Sequence, residues 1–216
     1  MPRLLTEFIG TFFLVLTIGL TVVSPHPELA PLGIAAILMV MIYMGGHVSG
    51  AHYNPAVTLA IWMRGKIPTR DVGPYMVAQI LGSLAASILV AFVLERPLRV
   101  APGPETSTAE FFVVELLFTF ALALVVLNVA TSRDTAGNDS YGLAIGFTVL
   151  AGAFAAGSIS GGAFNPAVAL GPILTDAVAG DGGTLGGLWV YLVAQFGGAA
   201  LAAVVFKVQN PNDTAA

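Results

Sequence analysis

Two asparagines, Asn54 and Asn165, each open an Asn-Pro-Ala-Val tetrapeptide, and two carboxylates, Glu7 and Glu115, stand inside long apolar runs. Asn is a favoured helix N-cap, and proline suits the first helical position because its missing N–H would have no intrahelical partner there. Asn54-Pro55-Ala56 and Asn165-Pro166-Ala167 therefore each start a helix, with the partial positive charge of a helix N-terminus. Glu7 and Glu115 are expensive in an apolar setting, so a functional role such as a proton relay is the default reading. His47 and His52 flank the first motif, but Ser158 and Ala163 stand at the matching places of the second, so no metal site and no cofactor is expected. A loop-bracing or pore-lining role suits His47 better. No Ser/His couple, paired carboxylates or HExxH motif points to catalysis.

These residues need an unusual scaffold. The chain has 216 residues, 56% hydrophobic and only 9% charged, against about a quarter charged in soluble domains. Residues 4–23, 72–94, 111–130 and 188–206 each approach or exceed the roughly 20 residues that cross a bilayer core. Residues 32–46 and 141–157 are shorter spans, each leading into a Gly-rich segment and one Asn-Pro-Ala motif. The expectation is an all-α integral membrane protein with six transmembrane helices. With the N-terminus inside, Arg3, Arg64, Lys66, Arg70, Arg133 and Lys207 fall on the cytoplasmic side and Arg96 and Arg99 outside, so both termini are expected in the cytoplasm. No basic cluster suits nucleic acid, and the absence of cysteine excludes disulfides and thiolate metal sites.

The two halves match well beyond the tetrapeptides. "SGAHYNPAVTL" at 49–59 aligns with "SGGAFNPAVAL" at 160–170, "YMVAQILGSLAA" at 75–86 with "YLVAQFGGAALAA" at 191–203, and "EFIGTF" at 7–12 with "ELLFTF" at 115–120. The repeats cover about 4–94 and 109–207 of one domain spanning 1–216. An odd number of crossings separates corresponding points, so the second copy enters the membrane from the opposite face, as an inverted repeat. Residues 54–63 and 165–174 give about ten helical residues each, roughly 15 Å, half a bilayer core. Gly45, Gly46, Gly50, Gly157, Gly161 and Gly162 are expected to supply the tight backbone that carries each half-helix start to the midplane. Irregular backbone at that depth is tolerated only inside protein or along a water-filled cavity. Two re-entrant half-helices meeting there imply a pore.

With these motifs the sequence resembles the major intrinsic protein family, the aquaporins and aquaglyceroporins, from about residue 4 to 207. The resemblance rests on "GGHVSGAHYNPAVTLA", the second Asn-Pro-Ala, Glu7, Glu115 and the two "VAQ" spans. It implies one pore per chain in a homotetramer, lodged in the bilayer of a cell membrane and passing water and small neutral solutes. It also implies Asn54 and Asn165 amides aimed at the permeating molecule. The backbone of Gly50, Ala51, His52 and Tyr53, and of Gly161, Gly162 and Ala163, is expected to give a ladder of carbonyls. Glu7 and Glu115 become buried braces for these loops. Gln79 and Gln195 are read as hydrogen bonds between helices, and Gly142 and Gly146 as a close contact within the subunit.

The narrowest point of the family usually carries an arginine directly after the second motif; here it is Val168. The other filter positions, transferred by spacing from the asparagines, are Ile34, Ala153 and Gly162. No aromatic, histidine or charge remains, so the filter is expected to be wide and apolar and to admit glycerol, urea, ammonia, hydrogen peroxide or undissociated metalloid acids beside water. A strictly water-selective channel is the alternative reading. A secondary transporter is the rival from another class, since transporters also use inverted repeats and broken helices. A junction protein of the same fold is a further one.

Overall fold

The computed structural model describes residues 1–213. Among them the fold is all-helical: eight α-helices joined by turns and short 3₁₀ segments, without strands. Six helices are long and apolar enough to cross a membrane: α1 (Pro2–Thr21), α2 (Ala30–Ser49), α4 (Thr69–Leu94), α5 (Thr108–Thr131), α6 (Tyr141–Ser160) and α8 (Leu188–Gln209). Two are shorter, α3 (Pro55–Met63) and α7 (Pro166–Ala179). The outward faces of the long helices carry exposed apolar side chains, such as Phe92, Phe147 and Val204, as suits acyl chains rather than water as the neighbour.

The second span of each half is longer than its hydropathy indicates. Both α2 and α6 have 20 residues, because Gly45, Gly46 and Gly157 stay helical and do not break the chain. Gly45 is helical for a packing reason: a Cβ there would collide with the Tyr53 hydroxyl. The turn away from helix falls at Gly50 (φ 89°) and Gly161 (φ 86°), which end α2 and α6 in the left-handed conformation that glycine adopts without steric cost. The other difference lies in α7, which continues past residue 174 to Ala179 with Pro172 inside it. Gly180 stops it, donating its N–H to the Asp176 carbonyl.

Packing follows the sequence repeat. α1 lies against α4 and α2, and α5 against α8 and α6; the short helices cross over, α3 onto α8 and α7 onto α4. The α1–α4 contact is close because Gly82 faces the Phe8 carbonyl, and the α5–α8 contact is close because Gly198 faces the Leu116 carbonyl. Gly146 meets the Ala35 carbonyl and Gly142 the Tyr43 ring, so this glycine pair serves the α2–α6 contact within one chain. Each added methyl at Gly82 or Gly198 must push two helix backbones apart. Gly82→Ala is expected to cost about 1–3 kcal/mol, the usual range for overpacking, read as a lowered thermal midpoint of the purified protein in detergent. An unchanged midpoint would mean that α1 and α4 are less tightly apposed than described.

Ion pairs tie the connections at each end. The Arg99 guanidinium binds both Asp181 oxygens, at 2.8 and 2.7 Å, and this hydrogen-bonded cation holds the Asp181 carboxyl below the usual carboxylate range. The clamp fixes the α4–α5 connection, whose Leu98 and Val100 are buried. At the other end Asp213 accepts from Arg64 at 2.7 Å and from the Arg133 backbone N–H at 3.1 Å, joining the tail to the end of α3 and the start of the α5–α6 connection.

Candidate functional site: a pore at the meeting of two half-helices

The N-termini of α3 and α7 meet back to back. Asn54 caps α3 by accepting from the Ala56 N–H at 2.8 Å and the Val57 N–H at 3.3 Å; Asn165 caps α7 through the Ala167 N–H at 2.9 Å. Pro55 and Pro166 open the helices, and Ala56 and Ala167 are fully buried where the helices need a small residue. Each asparagine also reaches across: Asn54 Nδ2 donates to the Phe164 carbonyl and Asn165 Nδ2 to the Tyr53 carbonyl, both at 2.9 Å. A carboxamide nitrogen has two N–H groups, so each keeps one for a guest. Both asparagines line the same cavity.

The loops entering these caps hold unusual backbone. Ala51 (φ 50°), Tyr53 (φ 49°) and Phe164 (φ 47°) are left-handed without being glycine, and Gly162 (φ 63°) is the counterpart of Ala51. Such conformations persist only where the surroundings over-determine them. Here the carboxylates do so. Glu7 accepts from Ser49 Oγ (2.6 Å), the His52 N–H (3.0 Å), the Tyr53 N–H (2.7 Å) and Gln79 Nε2 (2.8 Å). Glu115 accepts from Ser160 Oγ (2.7 Å), the Ala163 N–H (3.0 Å), the Phe164 N–H (2.9 Å) and Gln195 Nε2 (2.8 Å). Both carboxylates are fully buried behind the loops and line neither large cavity. This geometry suits bracing and gives no path for a proton relay.

Pulling the N–H groups of 52–53 and 163–164 onto the carboxylates leaves other backbone groups to the cavity. The carbonyls of Gly50, Ala51 and His52, and those of Gly161, Gly162 and Ala163, have no hydrogen-bond partner among the described residues. The Tyr53 carbonyl already accepts from Asn165 and keeps its second lone pair.

Two cavities, of about 540 and 680 Å³, adjoin here, and both asparagines line the first. The first is walled by Leu14, Ile18, Leu38 and Leu122 and contains Ile34, Ala153, Gly162 and Val168 together with Tyr53, Gly161, Ala163, Asn54 and Asn165. Ile34 lines it while its neighbours Gly33 and Ala35 do not. The second is bordered by Arg3, Lys66, Gly50 and the α5–α6 connection. Ala51 and His52 line both.

His47 departs from the bracing role. It sits exposed in the last turn of α2 on the wall of the second cavity and makes no hydrogen bond among the described residues. Glu7 already satisfies the loop, so nothing remains for His47 to brace. Sequence reasoning also passed over Tyr75 and Tyr191, whose hydroxyls donate to the Ser49 and Ser160 carbonyls at the ends of α2 and α6. The signal was present as Tyr-x-x-x-Gln in both repeats, which places a tyrosine and a glutamine on one helical face.

Comparison with known proteins agrees with this architecture. The profile of the Major intrinsic protein family matches residues 1–206. The chain is 37% identical to Glycerol uptake facilitator protein-like 6 of Lactiplantibacillus plantarum, over 99% of this chain and 100% of that protein. It is 34% identical to Aquaporin NIP1-2 of Arabidopsis thaliana, over 99% of this chain and 76% of the relative. Its fold is similar to the X-ray structure of the aquaglyceroporin from Plasmodium falciparum, with a TM-score of 0.84, 25% identity and 97% of each chain covered. On the family profile, the relatives and the fold together, the chain belongs to the major intrinsic protein family.

Proposed function

We propose that the chain is a passive transmembrane channel for water and small neutral solutes such as glycerol, with a wide apolar filter formed by Ile34, Ala153, Gly162 and Val168. The observation that carries this is a pair of cavities that share Ala51 and His52 in their walls, the first of them lined by both Asn54 and Asn165. A neutral guest exchanges hydrogen bonds between the free N–H groups of the asparagines and the unpaired loop carbonyls. A cation meets the positive ends of two helices with its hydration shell removed, and is repelled. Members of the family are passive channels, and no bond is made or broken here.

The matching hydrogen-bond sets around Glu7 and Glu115 support an inverted repeat in which α3 and α7 re-enter from opposite faces. The cation distribution supports cytoplasmic termini, with the first cavity opening outward and the second inward. Membership in the family supports a homotetramer with one pore per chain, in a cell membrane. Uptake of labelled glycerol and urea by vesicles containing the purified protein tests the reading; uptake no faster than in protein-free vesicles would refute it. The chain contains no cysteine, so thiol-directed mercurials are expected to leave the flux unchanged. Inhibition reversed by added thiol would contradict that expectation.

A further inference from the structure

Arg64 ends α3 with its charge out of water. The side chain is 2% exposed, and its guanidinium carbon lies 4.8 Å from the centre of the Phe206 ring, itself fully buried. A guanidinium keeps its proton at any ordinary pH, so a charge buried this deeply needs a counter-charge. Among the described residues one carboxylate lies within ion-pair reach, that of Asp213 at 2.7 Å. The Arg64 Nε–H has no partner.

Asp213 comes from the segment after α8, the long helix on which α3 packs. The Asn210 side-chain amide donates to the Phe206 carbonyl and the Asp213 N–H to the Asn210 carbonyl, both at 3.1 Å, so the segment folds back over the end of α8. The carboxylate also meets the α5–α6 connection, through the Arg133 N–H at 3.1 Å, the Arg133 Nε at 3.6 Å and the Ser132 hydroxyl. That connection walls the second cavity with Ser132, Thr135 and Asn138, whereas neither Arg64 nor Asp213 lines either cavity. One carboxylate thus ties the far end of a half-helix to the wall of a pore mouth, from outside the pore.

The second half carries the same arrangement with the charges exchanged. Asp176 sits near the end of α7, fully buried, and its Oδ1 lies 3.9 Å from an Arg99 nitrogen. Arg99 comes from the segment after α4, the long helix on which α7 packs, and its neighbour Val100 lines the first cavity. In each half a buried ion at the end of the half-helix meets a counter-ion from the segment behind its partner helix. The polarity differs and the geometry recurs, so the contact belongs to the architecture and not to one loop.

We infer that Arg64 and Asp213 form a latch by which the segment after α8 seats α3 and the α5–α6 connection together, and that conduction depends on the latch being closed. α3 has nine residues, roughly 13 Å of rigid rod, so a shift of its Arg64 end carries Asn54 at the other end with it. The inference rests on the proposed conduction, although the seating of the connection can be measured without it.

The test uses the full-length protein in lipid nanodiscs and in proteoliposomes, as wild type, Asp213→Ala, Asp213→Glu and the double variant Arg64→Met with Asp213→Ala. In Asp213→Ala, amide hydrogen exchange over residues 132–139 is expected to quicken about tenfold or more, the scale of hydrogen bonds to an ion. Water and glycerol flux should fall together by about twofold or more, the lower end of coupling through a packed network. Asp213→Glu keeps the carboxylate and should bring both readouts back toward wild type. The double variant removes the buried charge together with its partner, a replacement that folded proteins tolerate. It should show the same fast exchange and reduced flux, and it decides the matter if Asp213→Ala fails to fold. Unchanged exchange over 132–139 in both variants that lack the carboxylate, or fast exchange with wild-type flux, would overturn the inference. A loss of glycerol flux without a loss of water flux would also overturn it, because that marks a filter and not a seat. Wild-type vesicles no faster than bare lipid would instead refute conduction, and the exchange data would then decide whether Asp213 holds the connection.

Discussion

Glu115→Ala is expected to abolish both solute and water flux and to leave little protein that is monodisperse after extraction. The carboxylate collects four donors at once: Ser160 Oγ, the Ala163 and Phe164 N–H groups and Gln195 Nε2. Alanine leaves the two N–H groups and Gln195 Nε2 unpaired, and Ser160 Oγ with only the Ala156 carbonyl at 3.3 Å, at a depth where no bulk water can replace the lost acceptor. Each orphaned group costs about 1–3 kcal/mol, and the sum is comparable to the whole stability of an ordinary domain. The loop would also lose what holds Phe164 in its left-handed conformation. Its carbonyl would then no longer be in place for Asn54, so the two half-helix starts would come apart. Glu115→Gln keeps the shape but turns one acceptor oxygen into a donor facing donors, and should fall between the two. Size-exclusion chromatography and vesicle flux together check this. Alanine and wild type behaving alike in both would show that the carboxylate is no brace.

Val168→Arg is expected to reduce glycerol and urea entry by about tenfold or more, equivalent to roughly 1.4 kcal/mol of added barrier, with a smaller loss of water flux. Val168 lies in the first turn of α7, facing the same cavity as Ile34, Ala153 and Gly162. Arginine there adds a long side chain with five N–H donors, and the free carbonyls of the 161–163 loop, in the wall of the same cavity, can accept from it. The lumen narrows for a three-carbon polyol more than for water. A cation beside a helix N-terminus is unfavourable, so the head group should lean toward those carbonyls and the lumen. Equal loss of water and solute flux would contradict a filter at this position.

Much of this architecture can be read from residue order because a few local rules leave little choice. Asn-Pro at the head of an apolar stretch is a helix start in any context, and two copies in an apolar chain demand a common polar meeting place. The lone carboxylates in repeat-related positions signal their loops, since a buried acceptor must find donors. Other features depend on packing that local rules do not contain. Gly45 and Gly46 resemble breaks in sequence but face Tyr53 and Tyr141, Gly157 also stays helical, and the break falls at Gly50 and Gly161, where the chain turns left-handed. The extension of α7 beyond residue 174 to its stop at Gly180 is not visible either. His47 and His52 are equally polar in sequence. Only the fold shows that Thr58 anchors one and that the other stands free on the cavity wall.

The measurement that tests the central claim most directly is stopped-flow light scattering on proteoliposomes of the wild-type protein. An impermeant osmolyte reports water, inward gradients of glycerol and urea report solute entry, and two temperatures give the activation energies. The account predicts that water and both solutes move much faster than through bare lipid, with activation energies well below that of the lipid. Fast water without solute entry would contradict the wide filter at Val168, and the absence of both would contradict a conducting pore between Asn54 and Asn165.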